Sequence, residues 1–166
     1  SIHLKSCDVL GDSSAIIMYT SGTTGRPKGA MISHNALIAG AVGNSNTLDW
    51  DRAHRFLLIA PMFHIGGLSP FITNVLLGCT TILEPDFDPA AVWKTIATER
   101  VTSMMTVPVM LHALLMVAKA APVDLTNLKW VTCGASAVPP SLIDVCIKMG
   151  LNIQQVYGTT ECGAMS

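Results

Sequence analysis

Four short stretches of this chain hold residue types able to do chemistry at an anion. The first, Tyr19-Thr20-Ser21-Gly22-Thr23-Thr24-Gly25-Arg26-Pro27-Lys28-Gly29, gathers hydroxyls and glycines around Lys28, between apolar runs at residues 15–18 and 30–32. Hydroxyl and backbone N–H groups donate hydrogen bonds, glycine admits a ligand close to the backbone, and lysine adds a point charge. That set suits a phosphate chain, and it equally describes a polar turn. The second, Gln155-Val156-Tyr157-Gly158-Thr159-Thr160-Glu161, offers an aromatic stacking face, hydroxyl donors and a hard oxygen ligand for Mg²⁺. Thr160-Glu161 would equally begin a helix, where hydroxyls and acids are favoured.

The third stretch is Pro61-Met62-Phe63-His64-Ile65-Gly66-Gly67, in which a lone histidine stands among apolar residues; such a residue is more often a satisfied core histidine than a ligand. The fourth is Cys133-Gly134-Ala135-Ser136-Ala137-Val138-Pro139. Cys133 reads as a small apolar filler, because no His or Asp accompanies it at a spacing that would activate a thiol. The first stretch is not a Walker A loop, which needs Gly-x-x-x-x-Gly-Lys-Ser/Thr. Arg26 follows Gly25, Pro27 precedes Lys28, and Gly29 stands where the Mg²⁺-binding hydroxyl belongs. No Gly-x-Gly-x-x-Gly occurs either, so a P-loop NTPase is disfavoured.

The elements that must carry these stretches follow from periodicity and punctuation. Residues 15–20 read as a strand and 29–32 as its hairpin partner. Ser33 caps a helix with Leu37, Ile38, Ala41 and Val42 on one face, weakened at its end by Gly43 and Asn44. Residues 55–60 form a buried strand stopped by Pro61, and 67–77 a helix with Pro70 in its first turn. A strand at 80–83 precedes Asp88-Pro89, which opens a helix turned inward on Val92, Trp93, Ile96 and Ala97. Strand 102–106 leads to a helix from Pro108 to about Lys119 that is apolar nearly all round; strand 129–133, helix 139–149 and strand 153–157 follow. This alternation predicts an α/β fold, a mostly parallel sheet with helices on both faces. Ligands of such sheets bind beyond the carboxyl ends of the strands. Residues 21–28, 61–67, 107–108, 134–139 and 158–161 are therefore expected to gather on one rim.

Composition narrows the partners. Of 166 residues, 50% are hydrophobic and only 13% charged, against the usual quarter, and the net charge is −1. That balance provides no field for nucleic acid or an anionic membrane. It predicts that part of the surface is covered in a larger protein, and that a fragment would self-associate. The five cysteines are scattered and odd in number, as expected of reduced thiols in a cytoplasmic protein. Residues 56–83 carry no Asp, Glu, Lys or Arg, but Pro61, Gly66, Gly67, Pro70 and Gly78 cut them into pieces too short to span a bilayer.

The string from Tyr19 to Gly29 resembles the phosphate-binding signature of the adenylate-forming superfamily, and residues 157–161 are similar to its Tyr-Gly-x-Thr-Glu motif, in the family's order. The intervening Phe87-Asp88-Pro89, Glu99-Arg100-Val101-Thr102 and Val107-Pro108 look like fatty acyl-CoA synthetases. The resemblance implies a central piece of the large N-terminal AMP-binding domain, with residues 1–166 as a single partial domain. It implies ATP and Mg²⁺ as cofactors, coenzyme A as co-substrate and a carboxylic acid, fatty or aryl, as substrate. By the same resemblance Thr20, Ser21, Gly22, Thr23, Thr24, Gly25 and Lys28 hold the phosphates, with Lys28 on the β- and γ-phosphates and Thr20 near the metal. Thr160 meets the α-phosphate, Glu161 holds Mg²⁺, Tyr157 flanks the adenine, and Gly158 and Thr159 belong to the same nucleotide loop. Gly134, Ala135 and Ser136 match a Gly-Gly-Ala-Pro wall of the adenine and acyl pocket, with Cys133 and Ser136 departing from its first Gly and its Pro.

His64 matches a family position beside the carboxylate substrate. Amino-acid-activating members place an Asp there for the substrate ammonium, so His64 implies an acid without an α-amino group. Met104, Met105, Met110 and Met116 are expected to supply deformable surface to an acyl tunnel. The family's ribose-binding aspartate, hinge and lysine-bearing C-terminal domain lie downstream of this sequence. Residues 1–166 alone are therefore expected to be inactive, a nucleotide- or acyl-binding fragment at most. Peripheral membrane contact of the parent protein is compatible with the family.

Overall fold

The computed structural model describes residues 7–21, 25–47 and 50–163. Two sheets organise them. The first is an antiparallel ribbon of β1 (Ser14–Thr20) and β2 (Lys28–Ser33), in which Thr20 faces Lys28 across the turn. The second has five parallel strands in the order β4-β3-β5-β6-β7. They are β3 (Arg55–Leu58), β4 (Thr80–Leu83), β5 (Ser103–Thr106), β6 (Trp130–Cys133) and β7 (Ile153–Gln155). The predicted hairpin and parallel sheet are thus both present. The ribbon is separate, however, so residues 21–28 follow an antiparallel strand rather than a member of the parallel sheet.

The crossover helices are α2 (Ile65–Leu77), α3 (Pro89–Thr98), α4 (Pro108–Ala120) and α5 (Pro140–Lys148), with α1 (His34–Thr47) leading from the ribbon. One face of the sheet packs Leu57, Met104 and Val131 against Val92, Trp93 and Ile96 of α3 and Leu111, Leu114 and Leu115 of α4. The Trp93 indole N–H donates to the Leu114 carbonyl at 2.8 Å, fixing these two helices together. The other face packs Trp50, Phe56, Leu58 and Met105, with Phe71 and Leu77 of α2 against them. Adjacent strand residues point to opposite sides, so Met104 and Met105 belong to different cores.

The chain steps from β3 outward to β4, returns past β3 to β5, and then proceeds to β6 and β7. Its direction therefore reverses between β3 and β5. Right-handed crossovers put α2 on one face and α3, α4 and α5 on the other, in agreement with the two cores. A crevice opens at the carboxyl ends of strands wherever the winding reverses in this way.

Several boundaries differ from those read in the sequence. Helix α1 continues through Gly43 and Asn44 to Thr47, and buries Gly40, Ala41 and Asn44, while Ile38 and Val42 face outward. The reason is a polar contact between helices: Asn44 Nδ2 donates to Ser69 Oγ (3.0 Å) and Thr73 Oγ1 (3.2 Å) on α2. Helix α2 starts at Ile65, so Pro70 lies inside it rather than in its first turn, and Gly78 ends it in the left-handed conformation (φ 71°). Strands β3 and β7 stop at Leu58 and Gln155, short of the expected 60 and 157. The expected caps are present: Ser33 Oγ accepts from Ala36 N–H (3.2 Å), and the Asp88 carboxylate accepts from Ala90 (2.8 Å) and Ala91 (3.0 Å). No helix among the described residues is long and apolar enough to cross a membrane.

Candidate active site

A cleft of about 650 Å³ opens at the carboxyl ends of the sheet, at the reversal between β3 and β5. After β3 the chain reaches Ala60 and Pro61, turns through His64 and enters α2. Gly67 makes this entry possible, because a Cβ there would lie 2.4 Å from the Pro61 carbonyl oxygen and 2.7 Å from that of Ala60. His64 takes the N-cap position with extended backbone, and its carbonyl accepts from Gly67 and Leu68 N–H, both at 3.0 Å. Its ring does not cap the helix and instead packs on Phe63, with centroids 4.6 Å apart. The histidine is exposed and borders the cleft, so it is not a satisfied core residue.

The end of β5 supplies the floor. Met105, Thr106, Val107 and Met110 line it, and Val107-Pro108 starts α4. Two helices, α2 and α4, therefore begin at the cleft, each bringing the positive end of its dipole to it. Met104 and Met116 do not line it: Met104 is buried in the first core, and Met116 is exposed beside a shallow groove with His112 and Lys119. Of the four methionines expected at an acyl tunnel, only Met105 and Met110 border this cleft, because strand alternation and the turn of α4 send the others elsewhere.

β6 and β7 form the far wall. Gly134 donates its N–H to the Thr106 carbonyl (3.2 Å), and Val156 N–H donates to the Cys133 carbonyl (3.0 Å). Gly134 itself lies behind the surface, and Ala135 lines the cleft with left-handed backbone (φ 68°). Such a φ costs an L-residue about 1–2 kcal/mol. Ser136 is exposed and stands off the cleft. Cys133 is fully buried, and burial, with Cys146 nearby, pushes its thiol up to about 11, as suits a filler rather than a nucleophile.

Tyr157, Gly158, Thr159, Thr160 and Glu161 all border the cleft. Thr160 to Cys162 form a single 3₁₀ turn closed by Gly163 (φ 64°), so this stretch starts a helical turn and also borders the cleft. The Thr159 hydroxyl donates to the Cys162 sulfur at 3.2 Å. From the ribbon, Thr20 borders the cleft, and its hydroxyl donates to the Lys28 carbonyl at 3.5 Å. Lys28, Ser21 and Gly25 (φ 87°) are exposed and do not line it, and Gly22, Thr23 and Thr24 lie outside the described residues. Among the described residues no cluster of three or more His, Cys, Asp or Glu could hold a metal. One carboxylate and one hydroxyl at the same cleft, Glu161 and Thr20, fit Mg²⁺, which keeps waters and takes further oxygens from substrate phosphates.

Thr106 and Ala60 lie in none of the four stretches, and their part in the site appears only once the strands are aligned. The signal available for them was position, the last residues before a proline or glycine at a strand end.

The sequence profile described as AMP-binding enzyme matches residues 4–166. The chain belongs to that family. It is 38% identical over 147 residues to indoleacetate–CoA ligase of Aromatoleum aromaticum, covering 88% of this chain and 29% of that protein. It is 36% identical over 154 residues to the long-chain-fatty-acid–CoA ligase FadD13 of Mycobacterium tuberculosis, covering 92% and 31%. Among solved structures, the inhibitor-bound N-terminal domain of FACL13 from Mycobacterium tuberculosis superposes with a TM-score of 0.89 at 34% identity, over 96% of this chain and 40% of that one. The o-succinylbenzoate–CoA synthetase of Bacillus subtilis, in complex with ATP and magnesium, superposes at 0.85 and 32% identity, over 92% and 32%. The chain thus spans less than a third of the length of these curated relatives.

Proposed function

We propose that the full-length protein activates an apolar carboxylic acid with ATP and transfers the acyl group to coenzyme A. One observation carries this reading: Thr20, His64, Ala135 and the Thr160-Glu161 pair, from four separate segments of the chain, border a single cleft at the reversal of the sheet. The names of the relatives support the class and span fatty, arylacetic and succinylbenzoic acids. Glu161 is the only acidic residue bordering the cleft among the described residues, which favours an acid without an ammonium group. The apolar floor at Met105, Val107 and Met110 suits an alkyl or aryl body.

Attack of a carboxylate on the α-phosphorus brings two anions together, and the chain's own groups lower that cost. Lys28 and the donors of residues 20–25 hold the β- and γ-phosphates, and Thr160 donates to the α-phosphate. His64 and the start of α2 face the acid. Glu161 would hold Mg²⁺, which when bound would supply further neutralisation of the phosphate oxygens. The carboxylate oxygen bonds to the α-phosphorus as the α–β bridging bond breaks and pyrophosphate departs. In the second step the coenzyme A sulfur bonds to the acyl carbon, its proton passes to solvent, and AMP leaves. The setting we assign is the cytoplasm, and residues 1–166, a partial AMP-binding domain, do not complete the reaction by themselves.

The test is ATP–pyrophosphate exchange by the full-length protein across a panel of alkyl, aryl and amino acids. Exchange with apolar acids alone is expected. Exchange only with amino acids, or with none, would overturn the reading. Acyl-CoA formation by purified residues 1–166 would overturn the assignment of the fragment as inactive.

A further inference from the structure

We infer that Asn44 is a positioning residue for the reaction proposed above, on whose reading this inference rests. It sets the register between the helix that follows the phosphate loop and the helix that starts at His64. β2 runs directly into α1, and Ser33, its last residue, caps that helix. The first turn of α1 is bonded back to the segment leading into the ribbon. Asn35 N–H donates to the Gly11 carbonyl (2.8 Å), His34 N–H to the Ser13 carbonyl (3.2 Å), and Asn35 Nδ2 to Asp12 Oδ1 (2.9 Å). Ribbon and α1 therefore form one body, with Thr20 bordering the cleft. Among the described residues that body meets the rest chiefly in two places, β2 against the Thr160–Cys162 turn and α1 against α2.

The α1–α2 contact supplies direction rather than apolar area. α1 buries Gly40, Ala41 and Asn44, none of them a large apolar side chain. Small residues let two helices approach closely, but the hydrophobic hold they add is slight and has no direction. Direction comes from Asn44, whose Nδ2 donates to Ser69 Oγ (3.0 Å) and Thr73 Oγ1 (3.2 Å), one turn apart on α2. The Thr73 hydroxyl donates its own proton to the Ser69 carbonyl (2.9 Å), so toward α1 it can only accept, and an amide nitrogen is the matching group. All three side chains are buried. Sliding α1 along α2 would strand an amide and two hydroxyls where water cannot replace the lost partners. Ser69 lies about one helical turn from His64, so the register fixed at Asn44 reaches the acid side of the cleft through rigid helix. None of the three borders the cleft, so Asn44 acts through placement alone.

The experiment compares the full-length protein with its Asn44→Ala variant in two measurements. Amide hydrogen exchange is expected to quicken about tenfold or more in residues 14–20 and 28–47, while β5 and β6 keep the parent rates. In ATP–pyrophosphate exchange, kcat is expected to fall about tenfold or more. The KM values for ATP and for the acid should each stay within about threefold, because each ligand still meets its own half of the site. Ser69→Ala removes one acceptor and leaves the other; it should show both changes at about threefold, and it decides the matter if Asn44→Ala does not fold. Amide exchange quickened equally in β5 and β6 would show a loss of global stability alone and overturn the inference. In an active parent, either change without the other would also overturn it. A parent without pyrophosphate exchange would overturn the ligase reading instead, and the amide exchange then decides the register on its own.

Discussion

Gly134 lies so close to Val156 that a Cβ on it would sit 2.7 Å from the Val156 carbonyl oxygen and 2.6 Å from Val156 Cγ2. The glycine touches the loop after β7 from behind: it lets β6 and that segment close on each other, and so sets where Tyr157 to Glu161 stand. Gly134→Ala in the full-length protein is expected to lower stability by about 1–3 kcal/mol in urea unfolding. It is also expected to raise the KM for ATP in pyrophosphate exchange. A variant as stable and as active as the parent would remove this role.

Lys28 is exposed and stands across the ribbon from Thr20 at the edge of the cleft. Its removal leaves the packing untouched, so Lys28→Ala should unfold at the same urea concentration as the parent. Losing a charged donor to the phosphates is expected to cost about a hundredfold in kcat/KM for ATP. Unchanged pyrophosphate exchange would exclude Lys28 from the nucleotide site.

Ala135 holds a φ of 68° on the cleft wall. Alanine-to-glycine changes ordinarily destabilise through chain entropy, by roughly 0.5–1 kcal/mol. Here the relief of left-handed strain offsets that loss, so Ala135→Gly is expected to be neutral or slightly stabilising in thermal unfolding. Ala135→Val should destabilise by about 1 kcal/mol or more, since a branched Cβ fits that region worse. If glycine proves the more damaging of the two, the backbone at this position is not strained.

Burial raises the Cys133 thiol from its ordinary 9.0 to about 11, and raises Cys146 as well. In the unfolded chain these thiols lose their protons near pH 9, while the folded protein keeps that of Cys133 until about pH 11. The folded state binds more protons in that window, so stability is full below pH 9 and declines as pH rises toward 11. Cys133→Ala should flatten this decline in a urea series at several pH values. At pH 8 a thiol reagent should label the exposed Cys7 and Cys162 and leave Cys133 and Cys146 unmodified in the folded protein.

The motifs were legible because they depend on side-chain type at fixed spacing: hydroxyl, glycine and lysine at residues 20–28, and Thr160-Glu161 after an aromatic. The helix starts were legible for the same reason, as Ser33 and Asp88 cap through their own side chains. What sequence did not show depends on register. Asn44 reads as a helix-weakening residue until Ser69 and Thr73 are brought to it from α2. Gly134 reads as a contact residue until Val156 is seen to occupy the space in front of it. Met104 and Met105 read as equivalents, and only the sheet separates them.

That separation gives the fold two compartments with one shared wall. The side of β5 bearing Met104 is committed to α3 and α4, whose packing determines whether the domain folds at all. The side bearing Met105 opens on the cleft. Residues at alternate positions of the same strand therefore answer to different demands, and one set can diversify while the other stays fixed. A family whose members share this scaffold and accept chemically unrelated acids needs such an arrangement.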